Sequence, residues 1–296
     1  MAHSNMTIKS LIFSALSLVM SFSYGQIGNF QNAQAIAQEQ ITFYDAEGYT
    51  IFQQDFQYNF DKKGIGKVKK KLSIPKELQP TEDQDFSGAR IFTTIDTKGE
   101  SKTQSVYYVL QTEQGKIKVI GFSTLCDRAK AIEQEYFNAI LANTLPKEIF
   151  TPMEVDKVKF SGREITLGPA CHWMGVRNLQ CPNMGQMNWS EFSNFERAKQ
   201  MTEGQKALNS SLKMGDVLED TEIAIIFEGQ PTIALKRKLK IKIPKLIMGG
   251  SNILIIYYVT TEVKGRYISC VLSHYTDDIG ANDLPPLLKE VMQLKE

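Results

Sequence analysis

Histidine, tryptophan and cysteine are scarce in this chain: three, two and four residues among 296. Only His172 and His274 lie beyond the N-terminal segment, and no Cys-x-x-Cys pair accompanies them. The usual four-ligand zinc sets therefore cannot be assembled. Gly-x-Ser-x-Gly, His-Glu-x-x-His and Gly-x-x-x-x-Gly-Lys-Ser/Thr are also missing, which removes the commonest hydrolase, metalloprotease and nucleotide-binding signatures. Net charge of one sign is absent too: 34 basic residues face 33 acidic ones. Such a chain has no global field to steer it to nucleic acid or membrane. Past the N-terminal segment the longest apolar run is residues 253–259, strand-sized and far short of the roughly 20 residues that cross a bilayer. Four cysteines in so long a chain do not make a disulfide scaffold, so a hydrophobic core must carry stability.

What is present begins with an address. Lys9 stands in a short segment without acids, the apolar residues 11–20 follow, and Ser23-Tyr24-Gly25 offers small residues at the two positions a signal peptidase reads. This predicts a signal peptide over residues 1–25 and a secreted or periplasmic mature chain. Removing it removes one lysine and no acid, so the formal charge falls from +1 to zero. An oxidising compartment permits disulfides. Cys171 and Cys181, close in sequence with turn-forming residues between them, are the expected pair; Cys126 and Cys270 are left open.

Laid on itself, the chain repeats. Gly99, Ser101, Tyr107, Tyr108, Val109, Gly115, Ser123 and Asp127 recur 150 positions later as Gly249, Ser251, Tyr257, Tyr258, Val259, Gly265, Ser273 and Asp277. Upstream, Leu72, Ile74, Pro75 and Lys76 echo Ile241, Ile243, Pro244 and Lys245, and Ile51-Phe52 echoes Ile226-Phe227 more faintly. The expected architecture is α+β: two related modules of antiparallel strands followed by a helix, at 26–145 and 216–296.

Within each module the same elements are expected. Leu235, Leu239, Ile241 and Ile243 alternate with Lys236, Lys238, Lys240 and Lys242 as one strand, with Arg237 breaking the apolar face and Pro244 ending it. The lysines of residues 62–71 are read as the matching strand of the first module. Strands at 106–112 and 116–123 turn through Glu113-Gln114-Gly115, and strands at 253–261 and 266–273 through Val263-Lys264-Gly265. Asp127 is the expected cap of a helix burying Ile132, Tyr136, Phe137, Ile140 and Leu141; Leu287, Leu288, Val291 and Met292 form the stripe of its counterpart, opened by Asp283, Pro285 and Pro286.

Residues 146–215 read as a central insertion. Both tryptophans, Cys171, Cys181, His172 and three methionines fall within residues 171–190, before a helix expected over 191–208 with Asn188 or Ser190 as its cap and Phe192, Phe195, Ala198 and Met201 inside. A disulfide-closed loop could use Trp and Met to fill the gap between modules. It could instead present Trp173, Met184, Met187 and Trp189 as a recognition surface. Met174, Met184, Met187, His172 and the two thiols could also take a soft metal such as Cu(I), although pairing the cysteines would consume the thiolates.

Catalytic signals are thin. Ser273-His274 with Asp277 lacks a His in the matching Ser123-to-Asp127 stretch, and Cys171 and His172 are adjacent, a spacing that rarely lets two side chains meet. The expectation is a non-catalytic binding or interaction protein of the cell envelope, without cofactor. It would take an envelope partner or anionic ligand through the central segment or Lys236, Lys238, Lys240 and Lys242. The alternatives are a secreted hydrolase with a site between the modules near His172 or His274, and a copper-binding protein.

Overall fold

The computed structural model describes residues 30–168, 170–182, 184–212, 215–242, 251–275 and 283–295. The signal segment, Ile243, Pro244, Lys245, Gly249 and Asp277 lie outside the described residues. The first sheet contains β1 (Gln34–Gln38), β2 (Ile41–Ala46), β3 (Tyr49–Asn59), β4 (Arg90–Lys98), β5 (Ser101–Gln111) and β6 (Lys116–Thr124) in the order β1-β2-β3-β6-β5-β4. Helix α1 (Lys62–Lys71) lies between β3 and β4, and α2 (Lys130–Ala142) follows β6. A two-stranded hairpin, β7 (Lys157–Phe160) with β8 (Arg163–Thr166), leads to the second sheet.

That sheet holds β9 (His172–Gly175), β10 (Asn178–Cys181), β11 (Gly185–Phe192), β12 (Gly215–Phe227), β13 (Gln230–Ile241), β14 (Ile253–Val263), β15 (Arg266–Tyr275) and β16 (Met292–Leu294). Its order is β16-β12-β13-β14-β15-β11-β10-β9, with α3 (Phe195–Ser211) between β11 and β12 and the short α4 (Pro286–Lys289) after β15. Named strands pair antiparallel throughout, which fits an α+β fold. Among the described residues no helix is long and apolar enough to cross a membrane.

Why these residues make these elements is clearest in β6. Ile117 and Val119 point to one face with Ile65 and Val68 of α1; Ile120 and Phe122 point to the other with Tyr136, Phe137 and Ile140 of α2. A strand covered on both faces reads as a nearly continuous apolar run. Each such side chain, fully buried, contributes about 1.5–3 kcal/mol. Glu133, on the inner face of α2, is fully buried. Burial pushes its carboxyl up, but Arg128, Tyr108 and Tyr49 all bond to it and hold it below the ordinary carboxylate range.

Six strands of each sheet follow one spatial order, 1-2-3-6-5-4 and 9-10-11-15-14-13, with a helix after the third; the second sheet adds β12 and β16. Residues 172–192, read as part of an insertion, supply three strands of the second sheet. The constant offset of 150 does not survive. It holds for β6 and β15, but Tyr107 faces α1 whereas Tyr258, not Tyr257, faces α3. Lys264 and Gly265, both at positive φ, close β14–β15 as a two-residue turn, while three residues separate the paired Thr112 and Lys116. That one-residue difference moves each side chain of β14 to the opposite face.

Several local expectations are corrected. Residues 62–71 form a helix, capped by Asp61 through Gly64 N at 2.7 Å, and not a lysine-bearing strand. Leu72 ends that helix whereas Ile241 ends strand β13, so these two are not structural counterparts. Ile51 pairs with β6 while Ile226 pairs with β13 and β16, so that echo fails as well. The helix after Asp127 begins at Lys130 with Ala129 as its cap, and Leu141 is exposed. Asn188 and Ser190 are strand residues; Asn194 caps α3, and Phe195 sits outside against Tyr267. α4 has only four residues before the chain turns into β16.

The halves meet through buried charge. Arg177 reaches from the β9–β10 turn to Asp45 (3.2 Å), to Glu191 (3.7 Å) and to the carbonyl of Asn32. Two carboxylates share one guanidinium, and burial pushes Asp45 up to about 6 despite Arg177. Beside them Arg266 and Ser193 bind Glu47, at 2.6 and 3.0 Å. Gly48, at φ +77°, lets this turn lie against Phe192 where a Cβ would overlap the ring.

Candidate functional site

Strands β10 and β11 sort their side chains by period two. Leu179, Cys181, Met187 and Trp189 enter the core of the second half. Asn178, Gln180, Gln186 and Asn188 point the other way, and the register sets Asn178 opposite Asn188 and Gln180 opposite Gln186. Helix α3 passes over this block of amides. Gln205 Nε2 donates to Asn188 Oδ1 at 3.2 Å, Gln186 Nε2 to Asn178 Oδ1 at 3.1 Å, and Asn209 Nδ2 to the Tyr258 hydroxyl at 3.0 Å.

Between helix and sheet runs an open groove of about 520 Å³, a size suited to a small ligand. Its other end is apolar, lined by Leu208, Leu212, Leu254, Ile256 and Val271, with the half-exposed ring of Tyr275 beside Leu254. Among the described residues that line it there is no Asp, Glu, Lys or Arg. Each amide offers two donors and two lone pairs, so the single bonds made by Asn178, Gln186, Asn188 and Gln205 leave capacity for a ligand. The groove can hold an uncharged molecule that carries both donors and acceptors; it has no ion to neutralise a charged one.

Of the residues singled out from sequence, Cys181, Ser273 and His274 border this groove and the others fall elsewhere. Cys171 and Cys181 form a disulfide between β9 and the end of β10, and Cys126 and Cys270 are buried thiols. Met187 and Trp189 are 0% and 1% exposed, inside the core, with Trp189 against Phe160. Trp173 and Met184 pack at the edge of that core, and the Trp173 indole N–H donates to Pro152 O at 3.2 Å. With both sulfurs in the disulfide, no thiolate is left for a soft metal there.

Lys236, Lys238 and Lys240 alternate with Leu235, Leu239 and Ile241 as expected, but Thr221, Glu219 and Asp216 lie opposite them on β12. Lys242 pairs with Asp216 at 3.1 Å. Arg237, which interrupts the apolar face, is buried there and bonds Asp220 at 2.8 and 2.7 Å and Ser210 at 2.6 Å.

Ser273 and His274 are consecutive strand residues and therefore face opposite sides, Ser273 toward the groove and His274 toward Tyr257, on which it stacks. They do not form a nucleophile–base pair. Burial holds His274 below the ordinary histidine range. His172 is exposed on the edge strand β9 and contacts Ala170 O.

The four strand amides were visible in the sequence as polar residues two apart, interleaved with Leu179, Cys181, Met187 and Trp189. The conspicuous side chains drew attention, and the plain ones between them line the groove.

No family model matches the chain, and no curated protein matches it. Two solved structures resemble it distantly. The apo structure of the immunity protein TplEi of the T6SS from Pseudomonas aeruginosa is 12% identical, covering 84% of this chain and 90% of that one, with a TM-score of 0.22. DynU16, a putative protein in the dynemicin biosynthetic locus, is 8% identical over 83% and 76% of the two chains, with a TM-score of 0.16. Neither likeness is close enough to carry an argument.

Proposed function

We propose that this chain is an exported, non-catalytic binding protein built of two related modules, and that its ligand is a neutral saccharide held in the groove beneath α3. The observation that carries the reading is the uncharged amide block. Asn and Gln side chains meet hydroxyl groups as donor and acceptor at once, and the Tyr275 ring at the apolar end suits the apolar face of a sugar. The separation of Ser273 from His274 supports a site that binds without reacting. The disulfide accords with an oxidising compartment.

Isothermal titration with uncharged oligosaccharides, maltotriose and chitotriose first, tests the reading. Binding that weakens about tenfold or more in Gln186→Leu, with the melting temperature retained, is the expected result. No heat with any neutral sugar, or equal affinity in the variant, would refute it. Preference for an uncharged peptide would keep the groove and replace the ligand.

A further inference from the structure

A second groove, in the first half, has the opposite chemistry. About 970 Å³ of space lies between α1, the loop of residues 73–80, and Arg90 and Phe92 of β4. Its bed is Leu78, Pro80 and the lysine stems, over the buried Ile65, Ile74 and Phe92, and its rim carries Lys62, Lys63, Lys67, Lys70, Lys76 and Arg90. No acidic side chain lines it among the described residues, and none of these six cations has a carboxylate within ion-pair distance there. Lys69 is built in differently: its buried ammonium donates to Lys76 O and Leu78 O, both at 2.7 Å, and ties the loop to the helix.

Ring contacts account for Lys67, over Tyr58, and Arg90, over Phe60, but not for Lys62, Lys63, Lys70 or Lys76. Six of the ten residues of α1 are lysine. Lys63, Lys67 and Lys71 stack at four-residue spacing, where like charges repel. Lys62 and Lys63 sit in the first turn, at the positive end of the helix dipole. Charging an edge strand against aggregation is no explanation, because the segment is a helix. Gly66 adds an independent sign. It is exposed in mid-helix, and a Cβ there would meet nothing within 4 Å, so packing does not require glycine. Gly64 differs, since its Cβ would strike the Asn59 carbonyl. Glycine at 66 weakens the helix and leaves bare backbone facing the groove between flanking lysines.

We infer that this groove binds an anionic amphiphile, a lipid whose acidic headgroup lies among Lys62, Lys63, Lys70 and Lys76 while its chain lies on Leu78, Pro80 and the lysine stems. The apolar bed of Leu78, Pro80 and the lysine stems favours a lipid over a bare phosphate or a soluble polyanion. Flotation of the mature chain with vesicles of phosphatidylcholine, with and without phosphatidylglycerol, tests it. Wild-type protein should partition onto the phosphatidylglycerol vesicles only, and inorganic phosphate should not compete. Lys62→Gln with Lys70→Gln should weaken partitioning about twentyfold. Gly66→Leu keeps every charge and favours the helix, so its melting temperature should hold or rise while partitioning falls about tenfold. Equal partitioning of Gly66→Leu and wild type, equal partitioning onto pure phosphatidylcholine, or retention on heparin without vesicle binding would each overturn the inference.

Discussion

Six strands of each half follow one spatial order with a helix after the third, and the second half adds β12 and β16; what that helix does differs. α1 is ten residues long, packs Ile65 and Val68 tightly on its sheet, and leaves a cationic groove along its outer side. α3 is seventeen residues long, buries only Ala198 and Met201, and leaves an uncharged groove beneath itself. A shared strand order therefore does not imply a shared ligand. The side chains that one helix presents decide whether the space beside it suits a neutral or a charged molecule.

The strongest way to break the comparison is to break the junction on which both halves depend. Arg177→Ala leaves Asp45 and Glu191 buried without their cation and should cost about 3–5 kcal/mol, read by urea unfolding. A cost below about 1 kcal/mol would mean that the halves do not rely on this contact. Next in size is the disulfide, which has no counterpart in the first sheet. Cys171→Ser with Cys181→Ser should lower stability by about 2–3 kcal/mol, as expected for so short a loop. Equal melting of variant and wild type under oxidising conditions would show that the strands hold this edge alone.

A finer test is pH. Burial raises the folded-state pKa of Asp45 to about 6 from the ordinary 3.8, so folding takes up a proton between those values. Its contribution is fully present below the unfolded value and is lost as pH climbs through about 6. Asp45→Asn, a neutral shape mimic, should therefore be more harmful at pH 4 than at pH 7. The reverse order would place the negative charge, and not the proton, in the folded junction. The smallest effect separates the two glycines: Gly66→Ala should gain about 1 kcal/mol, whereas Gly48→Ala must lose stability against Phe192.

Much of the framework was legible. Alternation located β5, β6, β14 and β15 to within a few residues, because strands buried on both faces or on one leave a plain hydrophobic signature. The Cys171–Cys181 pairing followed from proximity. The lysine segment was misread because Leu72, Ile74 and Pro75 resemble the end of a strand, while Asp61 as a cap and the spacing of Ile65 and Val68 argued for a helix.

By itself, then, the sequence determined the antiparallel α+β character, the hairpins and the cysteine pair, since each rests on neighbours along the chain. Tertiary structure alone decided that Tyr258 and not Tyr257 faces α3, that Met187 and Trp189 turn inward, and that Asn178, Gln180, Gln186, Asn188 and Gln205 meet around one groove. The reason is physical: strand register and helix placement are set by packing between distant segments, and a one-residue change in a turn exchanges the two faces of a strand.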